Sequence, residues 1–282
     1  MSRADGVQSK RQSGPRHWAG VFLLLAFFAQ VASAARHTSI TLDEPLHITS
    51  GYACLVTGDY RLVEEHPPLL KMVQALPLLL ARPRLPDPRE VPGWEESNLI
   101  VASQHIVVPY RPIDALVFAA RVPTMLIGVL LAALIYRWAT DMFGMTGGLW
   151  ALALYVFDPN ILAHAGVAAT DLGAAAAIFG AMFALWRWFG QQAGPSWRRG
   201  VAMGAVLGLA LGVKSTALLL LPVFAVFVLF VRPPRHPLRV YLRQALGAGA
   251  VAFLVLWALY RFEIGTVPGW SISMPVASHF LP

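Results

Sequence analysis

The sequence predicts an all-α integral membrane protein with about seven transmembrane helices and one large extracytoplasmic loop. Hydrophobic residues make up 57% of the 282-residue chain and charged residues only 13%, about half the charged share of ordinary soluble domains. Several apolar runs are long enough to approach the ~30 Å hydrocarbon core of a bilayer. Basic residues are grouped at the ends of these runs, as expected for cytoplasmic helix ends.

The apolar runs lie at 17–35, 115–137, 147–163, 170–189, 200–231 and 242–260. The fifth run has 32 residues, which is too long for one span, and Gly212, Lys214 and Ser215 interrupt it. We therefore expect a hairpin of two helices in this run and seven spans in total.

The distribution of charge indicates the orientation. With the N-terminus inside, the cytoplasmic segments hold twelve basic and two acidic residues, and thirteen of the 15 acidic residues fall outside. The twelve bases are Arg3, Lys10, Arg11, Arg16, Arg137, Arg187, Arg198, Arg199, Arg232, Arg235, Arg239 and Arg243. The net charge of +7 thus indicates membrane topology, not nucleic-acid binding.

The first span has two interpretations. Its basic flank, apolar run and the Ala-Ser-Ala sequence at 32–34 also resemble a signal peptide with its cleavage site. Both interpretations place residue 36 and the following residues outside.

The chain divides into a cytoplasmic tail (1–16), a transmembrane module (17–265) and an extracytoplasmic C-terminal segment (266–282). The first outer loop covers 36–114, and a loop of this length is more often functional than a simple connector. Within it, segments 43–57 and 66–81 have mixed apolar and polar faces typical of helices on a membrane surface, and 97–108 favours a third short helix. Prolines at 83, 86, 88 and 92 break any helix between them.

Two carboxylates follow the first span, in Asp43 and Glu44. Adjacent carboxylates at the edge of a low-dielectric region favour one raised pKa, which suits a general base that deprotonates a hydroxyl group. The alternative is that Asp43 caps a helix, with Glu44 and Pro45 in its first turn.

A second candidate feature is the segment 64–71, in which two prolines precede a helix and fix the positions of His66 and Lys71. A lysine at headgroup depth can pair with a phosphate. The alternative is an exposed helix start whose lysine extends to the membrane surface.

A third candidate is Asp171, at the predicted outer end of the fourth span, where an ionisable group suggests a functional site. The alternative is that it stabilises the positive end of a helix dipole. Lys214, at the predicted tip of the hairpin, and Arg121, at the edge of the second span, are either phosphate ligands or lipid-headgroup anchors.

Metal and redox motifs are not evident. Five histidines face outward in this topology, but none has the spacing of a known metal motif, so we expect no metal site. The single cysteine, Cys54, excludes an intrachain disulfide and a Cys-x-x-Cys pair.

The outer-loop motifs together resemble the first outer loop of the GT-C membrane glycosyltransferases, particularly bacterial relatives of protein O-mannosyltransferases and of the lipid A aminoarabinose transferase. The motifs that carry the resemblance are Leu42-Asp43-Glu44, Gly51-Tyr52, Thr57-Gly58-Asp59-Tyr60, His66-Pro67-Pro68-Leu69 and Lys71, followed by Arg121, Thr170-Asp171 and 212–216.

The resemblance implies an inverting transfer of a sugar from a polyprenyl phosphate to a lipid, glycan or protein acceptor at the outer face of a bacterial inner membrane. It implies that Asp43 is the base, Glu44 its neighbour and Asp171 a second acidic site residue. It also implies that His66, Lys71, Arg121 and Lys214 bind the phosphate or orient the donor. It implies no cofactor and leaves a divalent metal open.

Members of this superfamily usually continue with further spans, so the chain resembles their shared N-terminal module, and an inactive module is one alternative. A transporter or lipid flippase is another, with Arg121, Asp171 and Lys214 as coupling groups. A noncatalytic membrane scaffold is a third. Convergence of the outer-loop carboxylates and bases on one cavity favours the transferase, whereas a transporter needs a polar path across the bilayer.

Overall fold

The computed structural model describes residues 15–63, 65–81, 84–189, 195–234, 236–266 and 273–275. Helices dominate this part of the chain, with one antiparallel pair of short strands, β1 and β2, near its end. The elements are α1 (Pro15–His37), α2 (Glu44–Thr57), α3 (Leu69–Ala81), α4 (Leu99–Ile106), α5 (Ile113–Val156), α6 (Pro159–Ala165), α7 (Asp171–Phe189), α8 (Trp197–Val213), α9 (Leu220–Val226), α10 (Leu238–Leu259), β1 (Ile264–Thr266) and β2 (Ser273–Pro275).

Four of the described helices are long and apolar enough to cross a membrane, judged by length and composition: Trp18–His37, Ile113–Val156, Asp171–Phe189 and Leu238–Leu259. The predicted all-α membrane fold is therefore confirmed. The total of seven spans remains a prediction.

Helix α5 reverses direction at Gly144, whose φ of 75° and ψ of 175° are not helical. Glycine adopts this positive φ without the steric cost that a side chain would add. The Tyr155 hydroxyl donates a 3.0 Å hydrogen bond to the Gly128 carbonyl, 27 positions earlier, so the two halves of α5 lie side by side. These halves correspond to the predicted second and third spans.

The apolar run 200–231 also divides into two helical segments. Helix α8 ends at Val213, and Lys214 has an extended conformation with φ −151° and ψ 137°. A 3-10 turn (Ser215–Leu219), α9 and a π-helical turn (Phe227–Val231) follow. The break therefore falls within the 212–215 stretch where the sequence predicts it.

Close packing joins α8 to α10. A Cβ atom at Gly204 or Gly208 would collide with the backbone carbonyls of Ala248 and Ala252, respectively. Small residues let helix backbones approach in this way in membrane proteins.

The first outer loop, 38–112, packs at one end of these helices, which we call the loop end. It holds α2, α3 and α4 near the predicted positions, and the described residues 84–98 contain no α-helix, only a 3-10 turn at Pro88–Glu90. The loop also reaches the last long helix, because the Tyr60 hydroxyl donates a 2.8 Å hydrogen bond to the Leu259 carbonyl. Helix α3 packs against α2, α5 and α8, so it is part of the bundle and not only a surface helix.

Candidate active site

A cavity of about 280 Å³ opens at the loop end. This volume is close to the lower limit of the ~300–1,000 Å³ usual for ligand pockets. Its lining comes from separate parts of the chain and is rich in ionisable side chains: Asp43, Leu46, His47, Glu65, His66, Lys71, Leu99, Ala169, Thr170, Asp171 and Lys214. A larger groove of about 620 Å³ between α8, α9 and α10 is lined by apolar residues only and offers no reactive group.

Asp43 stands at the N-cap position of α2 but does not act as a cap. Its side chain accepts no capping hydrogen bond, and its backbone is already helical, with φ −81° and ψ −25°. A capping residue normally has a non-helical backbone and accepts a bond from the first turn. The exposed carboxylate instead lines the cavity, so the capping interpretation loses its support.

Asp171 begins α7 on another side of the same cavity. Its Oδ1 accepts a 2.8 Å hydrogen bond from the Lys214 ammonium, and its Oδ2 lies 3.8 Å from Nδ1 of His164. Asp43 and Asp171 therefore face one cavity although 128 positions separate them, as the sequence predicts.

Lys71 and His66 bring positive charge and an imidazole to the cavity. Lys71 lies in the first turn of α3 and is only 1% exposed, although it lines the cavity. Burial, followed by the charge of Lys214, lowers the pKa of His66, so this imidazole is neutral at pH 7 in the absence of an anion. Two ammonium groups thus meet the carboxylates of Asp43, Glu65 and Asp171 in one site.

Glu44 and Arg121 do not line this cavity. Both are buried, with side-chain exposures of 0% and 3%, and the guanidinium Nε and Nη2 each lie 2.7 Å from a carboxylate oxygen of Glu44. Arg121 also donates to the carbonyls of Ala35, Thr38 and Ser39. All five N–H donors of the guanidinium are therefore occupied, and none is left for a phosphate.

Glu44 also accepts hydrogen bonds from the backbone N–H groups of Thr41, at 2.9 Å, and Ala168, at 2.8 Å. Burial alone would raise the pKa of Glu44, but these bonds and the Arg121 charge together hold it below its ordinary value. A carboxylate in this state is a permanent anion and a poor proton acceptor. Glu44 and Arg121 therefore position other residues. The pair fixes residue 43 on one side of the cavity and the turn leading to Asp171 on the other.

Gln74 provides a second fixed point behind the cavity. Its amide nitrogen donates to Thr124 Oγ1 and to the carbonyl of Ala169, both at 3.0 Å. Ala169 lines the cavity, so this buried bond joins α3, α5 and the cavity wall.

Sequence reasoning missed three polar residues of the cavity: His47, Glu65 and Thr170 as a lining residue. A signal for His47 was present, because it follows Asp43 by four positions and residues at this spacing share one helix face. Among the described residues, no group of three or more His, Cys, Asp or Glu side chains is placed to hold a metal ion.

Comparison with known proteins places this chain in a family. The model of the dolichyl-phosphate-mannose-protein mannosyltransferase family matches residues 113–260, just over half of the chain. The chain belongs to this family. It is accordingly a GT-C glycosyltransferase of the mannosyltransferase type, an integral membrane protein that uses a polyprenyl-phosphate-linked sugar. No curated protein matches the chain.

The matched region contains Arg121, Asp171 and Lys214 but begins after Asp43, His66 and Lys71. The cavity therefore joins side chains from the family-defining helices to side chains from the preceding loop. Three of its five charged lining residues, Asp43, Glu65 and Lys71, lie outside the matched region.

Proposed function

We propose that the chain transfers a sugar, with inversion, from a polyprenyl phosphate to an acceptor hydroxyl at the extracytoplasmic membrane face. The observation that carries this proposal is the convergence of Asp43 and Asp171 with Lys71, His66 and Lys214 around one cavity. This set combines a free carboxylate with cations suited to a phosphate. Family membership supports the same reaction class.

In this proposal, Lys71 and Lys214 bind the phosphate of the donor. The leaving group of the reaction is a phosphate monoester, whose negative charge grows as the glycosidic bond breaks. Fixed cations in a partly buried site stabilise such a charge more strongly than water does. A bound phosphate would also favour protonation of His66, which would then add a third donor.

Asp43 serves as the general base. Its carboxylate has no capping bond, and the described contacts give no ion pair to Asp43 or to Glu65, whereas Asp171 is paired with Lys214. Of the two carboxylates without an ion pair, Asp43 is the one that the resemblance assigns as the base. Deprotonation of the acceptor hydroxyl as it attacks the anomeric carbon gives inversion in one displacement. Positioned acid–base catalysis of this kind contributes about 10²- to 10⁴-fold in rate.

Asp171 has a different part in this proposal. Its bond with Lys214 holds the ammonium in the cavity, because Lys214 lies at the break between α8 and the following 3-10 turn. Asp171 thus orients a phosphate ligand and is not the base.

The distribution of buried polar groups argues against the transporter alternative. In the described part of the chain, the buried acidic and basic side chains are Glu44, Lys71 and Arg121, all at the loop end. The buried Gln244 lies near the opposite end, where it accepts a 2.9 Å hydrogen bond from Trp188. A transporter needs polar groups near the bilayer midplane between these ends.

The test is turnover in proteoliposomes that contain the purified chain, a polyprenyl-phosphate mannose labelled in the sugar and a mixture of hydroxyl acceptors. We expect release of free polyprenyl phosphate and transfer of the label to an acceptor. Label that crosses the bilayer while still attached to the lipid would instead identify a flippase. If the label stays attached to the lipid and stays on its original side of the bilayer, the proposal is contradicted.

A further inference from the structure

His47 is a cavity residue that neither the sequence motifs nor the proposed mechanism uses. It lies on α2 one turn after Asp43, and its N–H donates a 3.0 Å hydrogen bond to the Asp43 carbonyl. Both residues line the cavity. Side chains four positions apart on a helix are about 5–6 Å apart at Cβ, so both reach one small ligand.

Nδ1 of His47 is buried and has no hydrogen-bond partner in the described part of the chain. Buried polar groups in native structures are almost always hydrogen-bonded, so an unpaired Nδ1 differs from that of an ordinary core histidine. With Nδ1 buried, Nε2 is the nitrogen left to meet a ligand in the cavity.

The electrostatic surroundings keep this ring uncharged. Burial, followed by the nearby charge of Lys71, lowers the pKa of His47 to about 4, with Asp43, His66 and Glu65 as the other neighbours. A neutral imidazole adds nothing to the charge that holds a phosphate. Its Nε2 either donates or accepts one hydrogen bond, depending on the tautomer, and a hydroxyl group can serve as the partner in both cases.

We propose that His47 forms a hydrogen bond with a ring hydroxyl of the transferred sugar and so determines which sugar the enzyme accepts. The inference rests on the proposed function, since the sugar reaches the cavity on its polyprenyl phosphate. A site built to bond a hydroxyl rejects analogues that lack it, because its own polar group is then left unpaired.

The experiment is a double-variant cycle that combines a substitution at residue 47 with the removal of one hydroxyl group from the sugar. Equilibrium binding to the purified full chain in lipid nanodiscs is measured for each combination. The ligands are a short-chain polyprenyl-phosphate mannose and its 2-, 3-, 4- and 6-deoxy analogues. The variants are His47→Phe, which keeps a ring of similar size without polar atoms, and His47→Gln, which keeps a polar group near the place of Nε2. His105→Phe, on the exposed face of α4, is the matched control.

We expect one deoxy analogue to bind the unmodified protein at least 10-fold more weakly than the parent donor. His47→Phe should bind the parent and that analogue equally, and His47→Gln should recover part of the preference. If the loss of binding free energy from the missing hydroxyl and the loss from His47→Phe simply add for every analogue, the inference is overturned. Binding of bare polyprenyl phosphate should remain unchanged in His47→Phe, which separates sugar recognition from a folding defect.

The two proposals fail in different ways. If neither the parent donor nor bare polyprenyl phosphate binds the unmodified protein, the proposed function fails, and the assignment of His47 fails with it. If the donor binds and the cycle is additive, the proposed function stands and only the role of His47 is overturned.

Discussion

Lys214 and Asp171 are 43 positions apart in the sequence, yet Nζ of the lysine lies 2.8 Å from Oδ1 of the aspartate. The side chains are 21% and 53% exposed. An ion pair this accessible contributes only about 0–1 kcal/mol to stability. Its value to the protein therefore lies in holding an ammonium group at the cavity.

Removal of either cavity lysine should weaken donor binding. A hydrogen bond to a charged group contributes about 1.5–3 kcal/mol, so Lys214→Met and Lys71→Met should each raise the Kd for a polyprenyl-phosphate sugar about 10- to 100-fold. Lys214→Met should change the unfolding free energy by less than about 1 kcal/mol. The control is Arg137→Met, which breaks the exposed pair with Asp141 far from the cavity and should leave donor binding unchanged. Unaltered donor affinity in both lysine variants would remove the phosphate site.

Asp43→Asn should abolish most of the turnover. The amide keeps the size of the side chain but accepts no proton, so the rate should fall by about 10²- to 10⁴-fold while donor affinity persists. Asp114→Asn is the matched control, since Asp114 lies in the first turn of α5 near the loop end but outside the cavity. Transfer by Asp43→Asn at the unmodified rate would refute the role of Asp43 as base.

Breaking the buried pair should destabilise the fold. Glu44→Gln or Arg121→Met leaves a buried partner without its counter-charge, which costs about 3–5 kcal/mol. We expect a large fall in the thermal midpoint in detergent and lower membrane levels, with no comparable effect in Arg137→Met. If Glu44→Gln folds normally and only turnover falls, then Glu44 acts in the chemistry and not in positioning.

Stability should decline in mild acid because of His47. Its pKa falls from 6.5 when unfolded to about 4 when folded, so the unfolded chain binds more protons in this range. The stabilisation is complete above pH 6.5 and is lost as the pH falls towards 4, by at most about 3 kcal/mol. Unfolding at a series of pH values should show this decline, and His47→Gln should make it smaller, while His66, whose pKa is also lowered by burial, retains part of it. His105→Gln, a substitution of an exposed histidine, should leave the decline unchanged.

The predicted orientation has a direct test. A reporter fused near residue 90, in the first outer loop, should be extracytoplasmic, and one near residue 195, between α7 and α8, should be cytoplasmic. The positive-inside pattern of the basic clusters is the physical reason. Reporters on the same side would contradict the seven-span topology.

The sequence predicts the spans because length and chain breakers decide them. The run 200–231 exceeds one bilayer, and Gly212 and Ser215 mark its turn, which the structure has at Lys214. The reversal at Gly144 falls in the gap between the second and third apolar runs, where the sequence predicts a turn. Asp43 and Asp171 share a cavity because each begins a helix at the same end of the bundle.

Other parts of the site depend on tertiary contacts that no local pattern encodes. The pairing of Arg121 with Glu44 joins residues 77 positions apart, so the sequence interpretation gives Glu44 as the neighbour of the base and Arg121 as a ligand of the donor. The burial of Lys71 depends on how α3 packs against α2. His47 is one of the five histidines that the predicted topology places outside, and its unpaired nitrogen is visible only once its neighbours are placed.

The hydrogen bonds around the Arg121 guanidinium also bear on how the protein is synthesised. Glu44 and the carbonyls of residues 35–39 leave the ribosome well before Arg121, so the acceptors for this guanidinium are already synthesised when the second apolar segment enters the membrane. A charge at the edge of that segment would otherwise face lipid, which is costly. Ala168 emerges last and closes the arrangement through its bond to Glu44. The hydrogen-bond acceptors of Arg121 are thus synthesised before Arg121 itself, and Ala168, which binds Glu44, is synthesised after it.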